Sequence, residues 1–479
     1  MHSKPADSEI QHAVPERVGL ADPAAEFFQD DETARPLDRE RKLKFPGALS
    51  ANLLNMVGIG PFITIPLALS AMGGPQALLG WILGALLCLF DGFVWAELGS
   101  ALPRSGGPFH YLREAFGSTR LGRLFGFLYL WQTLLIGPMS IASGTVGFAH
   151  YTTYLWPSLS GWGLAALAAG LCLLNTALLW RDVRSIERLS VIVSVIVIGA
   201  CLWIIASGAM HFNAARAFSF PAHAFAGGHG FWMGLGAATL IGVYDYGGYN
   251  NVCMLGGEVN EPQRTIPRAV LTSIPLVALL YVGLNLAILG VVPWQQAMHS
   301  QAIVADFMQA LYGPLGGTTV AILILIASWG SALVVLLGYS RVPYAAAAEG
   351  EFFAPFARLH PRGAFPTVSL LFMGVASALA CLVSLDNLIA VLIVVQTLFQ
   401  YIAQCFAVVA LRRRNPTAEK GRFRMPLYPL PVIVTLIGWL YIVGTSKPIH
   451  IAAGIGMIGF GSIIFLAVAR ARSHWPFAR

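Results

Sequence analysis

Gly58-Ile59-Gly60-Pro61 and Asp245-Tyr246-Gly247-Gly248 interrupt two stretches that otherwise read as membrane-crossing helices. Lipid cannot hydrogen-bond bare backbone, so a break at membrane depth survives only where it lines a protein-walled or watery cavity. Pro61 suits the first turn of a new half-helix, because the N–H it lacks would have had no helical partner there. The N–H groups that follow, near Phe62, Ile63 and Thr64, carry the positive end of a helix dipole and make a ready carboxylate site. In the second break the carbonyls near Val243 and Tyr244 end a half-helix and suit an ammonium.

The surrounding chain is a bilayer sequence. Its 479 residues are 56% hydrophobic and only 11% charged, with mean hydropathy +0.68, a balance that excludes an ordinary soluble domain. Apolar runs of about 20 residues recur from Phe45 to Ala469. They place spans at 46–72, 76–101, 121–152, 162–180, 187–208, 230–257, 270–291, 315–344, 367–384, 387–411, 428–445 and 449–470. The expected fold is therefore an all-α membrane protein of about twelve transmembrane helices. With the N-terminus cytoplasmic, only Arg216 and Lys447 of the 30 Lys and Arg fall in outer loops. That bias fixes the orientation with both termini inside, and the reverse topology would contradict it. The net charge of +7 thus reflects topology, and nucleic acid is excluded as a partner.

Residues 1–44 hold 7 basic and 10 acidic residues and no apolar signal segment; they read as a disordered cytoplasmic tail. The spans then divide into five, five and two. Spans 1 and 6 each open a half and each carry a break. An odd number of spans makes the second half enter from the opposite face, so an inverted repeat follows, and paired breaks of this kind point to the substrate site of a secondary transporter. The core is expected at 45–411, with 412–479 holding two peripheral spans and the C-terminal end. Phe109-His110-Tyr111-Leu112-Arg113 reads as a short interfacial helix in the headgroup layer, and the segment 292–314 as a helical cap over the outer mouth. All six cysteines lie inside spans as packing residues.

At this point the residues resemble the amino acid–polyamine–organocation (APC) permeases. The signatures are Gly58-Ile59-Gly60-Pro61-Phe62, and Glu97-Leu98-Gly99 running into Pro103-Arg104-Ser105-Gly106-Gly107. After span 6 come Gly257-Glu258-Val259-Asn260-Glu261-Pro262 and Thr265-Ile266-Pro267-Arg268, and after span 8 Ser340-Arg341, Glu349-Gly350 and His360-Pro361. Their order and spacing cover nearly all of 45–411. The resemblance implies a LeuT-like five-plus-five inverted repeat with broken helices 1 and 6, alternating access, and uptake of amino acids or related amines, often driven by protons.

Candidate substrate-binding residues are Gly58, Ile59, Gly60, Phe62, Ile63, Val243, Tyr244, Asp245, Tyr246, Gln132 and Trp329, with Tyr244 as a gate. Proton-coupling candidates are Asp245, Asp91 and Arg184. Asp245 stands foremost, because a charge in a break is costly unless wet or paired. Asp91 reads equally as a proton site or a buried partner for a basic or hydroxyl group. Glu97 and Glu258 read as structural. Arg184 falls about where some proton-coupled relatives carry a lysine, and an arginine there acts as a fixed cation; the alternative is that Arg181, Arg184 and Arg188 anchor the inner face. Ser328, Ser331, Gln396 and Gln400 are further polar residues at depth.

A polycation without a carboxylate needs several acids, and only Asp245 and Asp91 are available, so an amino acid is favoured over a polyamine. A membrane enzyme is the rival class, yet all 11 histidines lie in the tail, loops or span ends. No His-Glu-x-x-His spacing occurs, and neither metal nor cofactor is expected. An amino acid sensor on the same fold stays open, since fold does not fix function, as does oligomeric state.

Overall fold

The computed structural model describes residues 43–104, 106–117, 121–181, 184–348, 350, 352–360, 365–414, 422–471 and 476. Among them the secondary structure is helical, and the only extended pairings are two single bridges, Leu43 with Val259 and Leu359 with Pro366. The tail expectation falls almost wholly outside the described residues.

Span 1 is two helices, α1 (Phe45–Met56) and α2 (Gly60–Met72), bent by 44° across the break. Next come α3 (Leu78–Ala101), α4 (Pro108–Phe116), α5 (Leu121–Leu155), α6 (Trp162–Arg181), α7 (Arg184–Met210) and the single turn α8 (Ala214–Ala217). Span 6 is also split, into α9 (His229–Tyr246) and the short α10 (Asn251–Met254). Then follow α11 (Pro262–Val291), the turn α12 (Trp294–Ala297) and α13 (Ile303–Ala348). Gly313, with φ 70°, interrupts α13 just before Pro314, next to the expected start of span 8 at 315. The chain ends through α14 (Thr367–Ala380), α15 (Leu385–Gln396), a π-helical turn (Thr397–Tyr401), α16 (Ile402–Arg414), α17 (Leu430–Gly444) and α18 (Pro448–Ala471).

By length and composition, seven helices among the described residues can cross a bilayer, or eight if the bent pair α1–α2 counts as one. Val195–Met210, α14 and α17 are apolar but shorter. Such a chain is an integral membrane protein. Large apolar side chains face outward along α17 (Ile433, Ile437, Leu440) and α18 (Ile455, Phe460, Ile463), as surfaces solvated by lipid should.

The interior falls into two packed regions. One gathers α1–α3, α9 and α11 with their neighbours; the other is built by α5, α6, α13 and α14 around Ile141, Cys172, Leu333 and Met373. Close helix approach comes from small residues, as membrane interiors require. A Cβ on Gly80 would lie 2.6 Å from the Ala238 backbone carbon, and one on Gly84 3.1 Å from that of Gly242. Thus α3 and α9 touch nearly backbone to backbone.

Two segments are packed more tightly than the sequence suggested. The segment after span 2 is the helix α4, and its aromatic residues pack into protein. Phe109, His110, Tyr111 and Leu112 are buried, Phe109 against Gly126 of α5, and the Tyr111 hydroxyl donates to the Cys253 carbonyl (3.5 Å). Its aromatic face is satisfied by protein. The other is α17, where Trp439 is fully buried and reaches α3.

Candidate functional site

The first break is set by capping and by close approach. The last carbonyl of α1, on Met56, accepts from the Tyr281 hydroxyl of α11 (2.6 Å), and the Val57 N–H turns back to the Leu53 carbonyl (2.7 Å). Of the N–H groups expected to be free, that of Phe62 is engaged locally by the Ile59 carbonyl (3.0 Å). A Cβ on Gly58 would stand 2.9 Å from the Ser331 hydroxyl oxygen of α13. One on Gly60 would stand 2.7 Å from Asp245 Oδ1 and 3.6 Å from a ring carbon of Tyr244. These glycines are needed for proximity, since neither has positive φ.

The second break is gripped from α1. Gly247 donates its N–H to the Tyr244 carbonyl (3.0 Å), which leaves that oxygen a second lone pair for a ligand. Gly248 adopts φ +108° with its α-carbon face pressed on Asn55. Asn52, fully buried, donates to the Tyr249 carbonyl (2.5 Å) and accepts from the Val252 N–H (2.9 Å). One side chain therefore satisfies both polarities of the unwound stretch.

Asp245 joins the two breaks. It is buried, and its Oδ2 accepts from the Thr64 hydroxyl in the first turn of α2 (2.7 Å) and from the Trp81 indole N–H of α3 (2.9 Å). Its Oδ1 has no protein partner among the described residues and faces Gly60. A buried carboxylate oxygen without a donor is costly, and here it sits where two helices are unwound. Tyr244, half-buried beside the same spot, donates to the Ser143 hydroxyl of α5 (2.9 Å). It therefore bridges the second break to the other packed region, a placement that suits a shutter.

The remaining candidates divide. Ile59 and Ile63 turn away to pack on Gly147 of α5, so their contribution to the site is backbone. The Phe62 carbonyl accepts from Tyr151 (2.8 Å), whose oxygen also receives the Val304 N–H (3.4 Å) and so ties α2 to the start of α13. Tyr246 is buried against Tyr281, ring centroids 5.5 Å apart. Val243 is buried at the end of α9. Gln132 donates to Gln400 in the π-helical turn (2.9 Å) and is part of that contact, not of the breaks. Trp329 is half-buried on α13, next to Ser328, whose hydroxyl donates to the Gly144 carbonyl (2.9 Å). Asp91 is fully buried and accepts from Tyr249 and Trp439. Arg184 is the first residue of α7; its side chain lies outside the described residues. Glu97 makes a two-pronged pair with Arg412 of α16 (2.6 Å to each nitrogen) and accepts the Met425 N–H (2.8 Å), a structural role as expected. Trp81, Asn52 and Ser143 were missed by sequence reasoning, and Thr64 was named for its N–H and not for the hydroxyl that binds Asp245. Only Thr64, one turn after Pro61, carried a local signal.

A family model described as "Amino acid permease" matches residues 45–469. Among curated proteins the chain is similar to the serine/threonine exchanger SteT of Bacillus subtilis (strain 168), 27% identical over 420 residues, covering 83% of this chain and 89% of that protein. It is 29% identical over 448 residues to the Asc-type amino acid transporter 1 of Homo sapiens, covering 88% and 81%. It is also 29% identical over 426 residues to the human large neutral amino acids transporter small subunit 2, covering 86% and 78%.

Proposed function

Since that match spans nearly the whole chain, the chain belongs to the amino acid permease (APC) family and is a transporter, not an enzyme, and from that premise we propose that it carries a neutral amino acid across the cell membrane by alternating access. The observation that carries the reading is the meeting of the two breaks: Asp245 Oδ1, buried and without a donor among the described residues, stands beside Gly60 at the start of α2. In this reading the substrate carboxylate sits on the N–H groups that open α2, and its ammonium on Asp245 and the Tyr244 carbonyl. The relatives' names, with serine, threonine and large neutral amino acids among them, favour a zwitterion over a polyamine.

The wider architecture proposed is twelve spans with a five-plus-five inverted repeat, a cytoplasmic tail over residues 1–44, a transport core over 45–411 and both termini inside. Helix breaks at two places five spans apart support it. Coupling to protons is proposed on Asp245: a lone carboxylate at membrane depth favours a compensating positive charge, and a proton carried with a zwitterion supplies one. Exchange is the second reading, favoured by the word "exchanger" in one relative's name. Proteoliposomes separate the two. Under symport, labelled serine accumulates in empty vesicles when an inward pH gradient is imposed, without sodium. Under exchange, uptake needs an internal amino acid and ignores the gradient. Absence of amino acid flux in both formats would overturn the functional reading.

A further inference from the structure

We infer that Asp91 is a positioning residue for the unwound stretch of span 6, and that it makes α17 part of the moving machinery; the inference rests on the transport reading above. Asp91 lies mid-way along α3 and is completely buried. Its two oxygens are divided between two elements. Oδ2 accepts the Tyr249 hydroxyl, and Oδ1 accepts the Trp439 indole N–H of α17 (3.3 Å). Tyr249 belongs to the non-helical residues 247–250. Asn52 of α1 holds its carbonyl while Asp91 of α3 holds its ring, so this one residue of the break is gripped at both ends. Trp439 in turn stacks on Tyr401 of the π-helical turn, centroids 4.3 Å apart and planes 10° from parallel. The carboxylate thereby ties together α3, the span 6 break, α17 and span 10.

The two buried acids differ in the respect that decides their work. Asp245 keeps one oxygen without a donor among the described residues at the break, as a group that meets a ligand or a proton must. Asp91 has both oxygens occupied by aromatic donors. A carboxylate used to fix a conformation engages each oxygen with one of the elements it joins, because a half-satisfied buried network is worse than an apolar one. A carrier must in turn face water on each side. The division of its oxygens between the span 6 break and α17 assigns Asp91 to holding. Tyr249 is four residues from Asp245 and on the path by which α9 continues into α10, so its anchorage sets how the break refolds between states. The rate of interconversion depends on it more than does affinity within one state.

The test uses full-length protein and L-serine, with Asp91→Asn, Tyr249→Phe, their combination and Trp439→Phe. Asparagine keeps the shape, but its NH2 cannot accept, so one aromatic donor loses its partner. We expect serine affinity, by ligand-induced thermal shift, to stay within about threefold of wild type, and the maximal flux rate to fall tenfold or more in Asp91→Asn and Tyr249→Phe. The double variant should be no slower than Asp91→Asn alone, since both remove the same bond. Trp439→Phe, which keeps the stack on Tyr401, should slow flux by a smaller factor. Amide exchange in ligand-free protein supplies the readout that does not depend on substrate: residues 247–254 should lose protection in Asp91→Asn while α5 and α13 do not. Should Asp91→Asn fail to fold, Tyr249→Phe and Trp439→Phe carry the test. Independent, multiplying rate losses in the double variant would overturn the inference. So would normal flux with loss only of pH-driven accumulation, which would make Asp91 a proton carrier. If wild type moves no serine at all, the transport reading fails, and unchanged protection of 247–254 would then refute the anchorage separately.

Discussion

Gly60→Ala is the smallest change that should disable the site while sparing the fold. The added carbon would lie 2.7 Å from Asp245 Oδ1 and 3.6 Å from the Tyr244 ring. A carbon and an oxygen do not approach that closely, so the carboxylate must shift by several tenths of an ångström. Its shift stretches the bonds from Thr64 (2.7 Å) and Trp81 (2.9 Å), and the methyl occupies the space beside the free oxygen. Overpacking of this kind costs about 1–3 kcal/mol. If that cost falls on the bound state, affinity drops about 5- to 150-fold. Gly170→Ala is the matched control, since nothing lies within 4 Å of a Cβ there and a helical Gly-to-Ala change is worth about 0.5–1 kcal/mol in favour of folding. Serine binding is measured by ligand-induced thermal shift on purified protein, with folding checked by the midpoint without ligand. Wild-type affinity in Gly60→Ala would refute the placement of the amine beside Asp245.

Asp245→Asn removes the charge and keeps the shape; affinity for amine-bearing substrates should fall by about 1.5–3 kcal/mol, the scale of a charged hydrogen bond, and unchanged binding and accumulation would reduce Asp245 to a structural tie. Arg412→Ala strands Glu97 in a nearly buried position and should destabilise by about 3 kcal/mol, seen as a lower unfolding midpoint that Glu97→Gln in the same chain partly restores; a midpoint equal to wild type would contradict the pairing. Cys172 and Cys381 hold their sulfurs 3.8 Å apart, across 209 residues of chain. Copper–phenanthroline should therefore join them, raising the unfolding midpoint by the equivalent of about 2–4 kcal/mol; mass spectrometry showing both thiols free after oxidation would contradict the packing of α6 on α14.

Much of the fold was legible because bilayer physics is severe. Apolar length placed the helices, Gly58 to Pro61 and Gly247-Gly248 marked the breaks, and Gly313-Pro314 fell next to the expected start of span 8. Lipid leaves a sequence few ways to satisfy its backbone, so local signals decide. The partners of the functional groups were not legible. Thr64 and Trp81 lie 181 and 164 residues from Asp245, and nothing local tells a tryptophan that binds a carboxylate from one that packs. The protein partners of the helix after span 2 were hidden for a related reason: an amphipathic face with aromatics fits a headgroup layer and a protein crevice equally well. The sequence also left Asp91 balanced between two roles, because its contacts with Tyr249 and Trp439 are distant in the chain.

The central claim is that the two breaks together hold an amino acid by both of its head groups. Competition against labelled L-serine uptake in proteoliposomes tests it most directly, using ethanolamine, which lacks the carboxylate, and 3-hydroxypropionate, which lacks the amine. The account predicts that L-serine and L-threonine compete fully while neither truncated analogue competes at a hundredfold excess. Competition by ethanolamine as strong as by serine would contradict it, because the N-terminus of α2 would then have no carboxylate to hold.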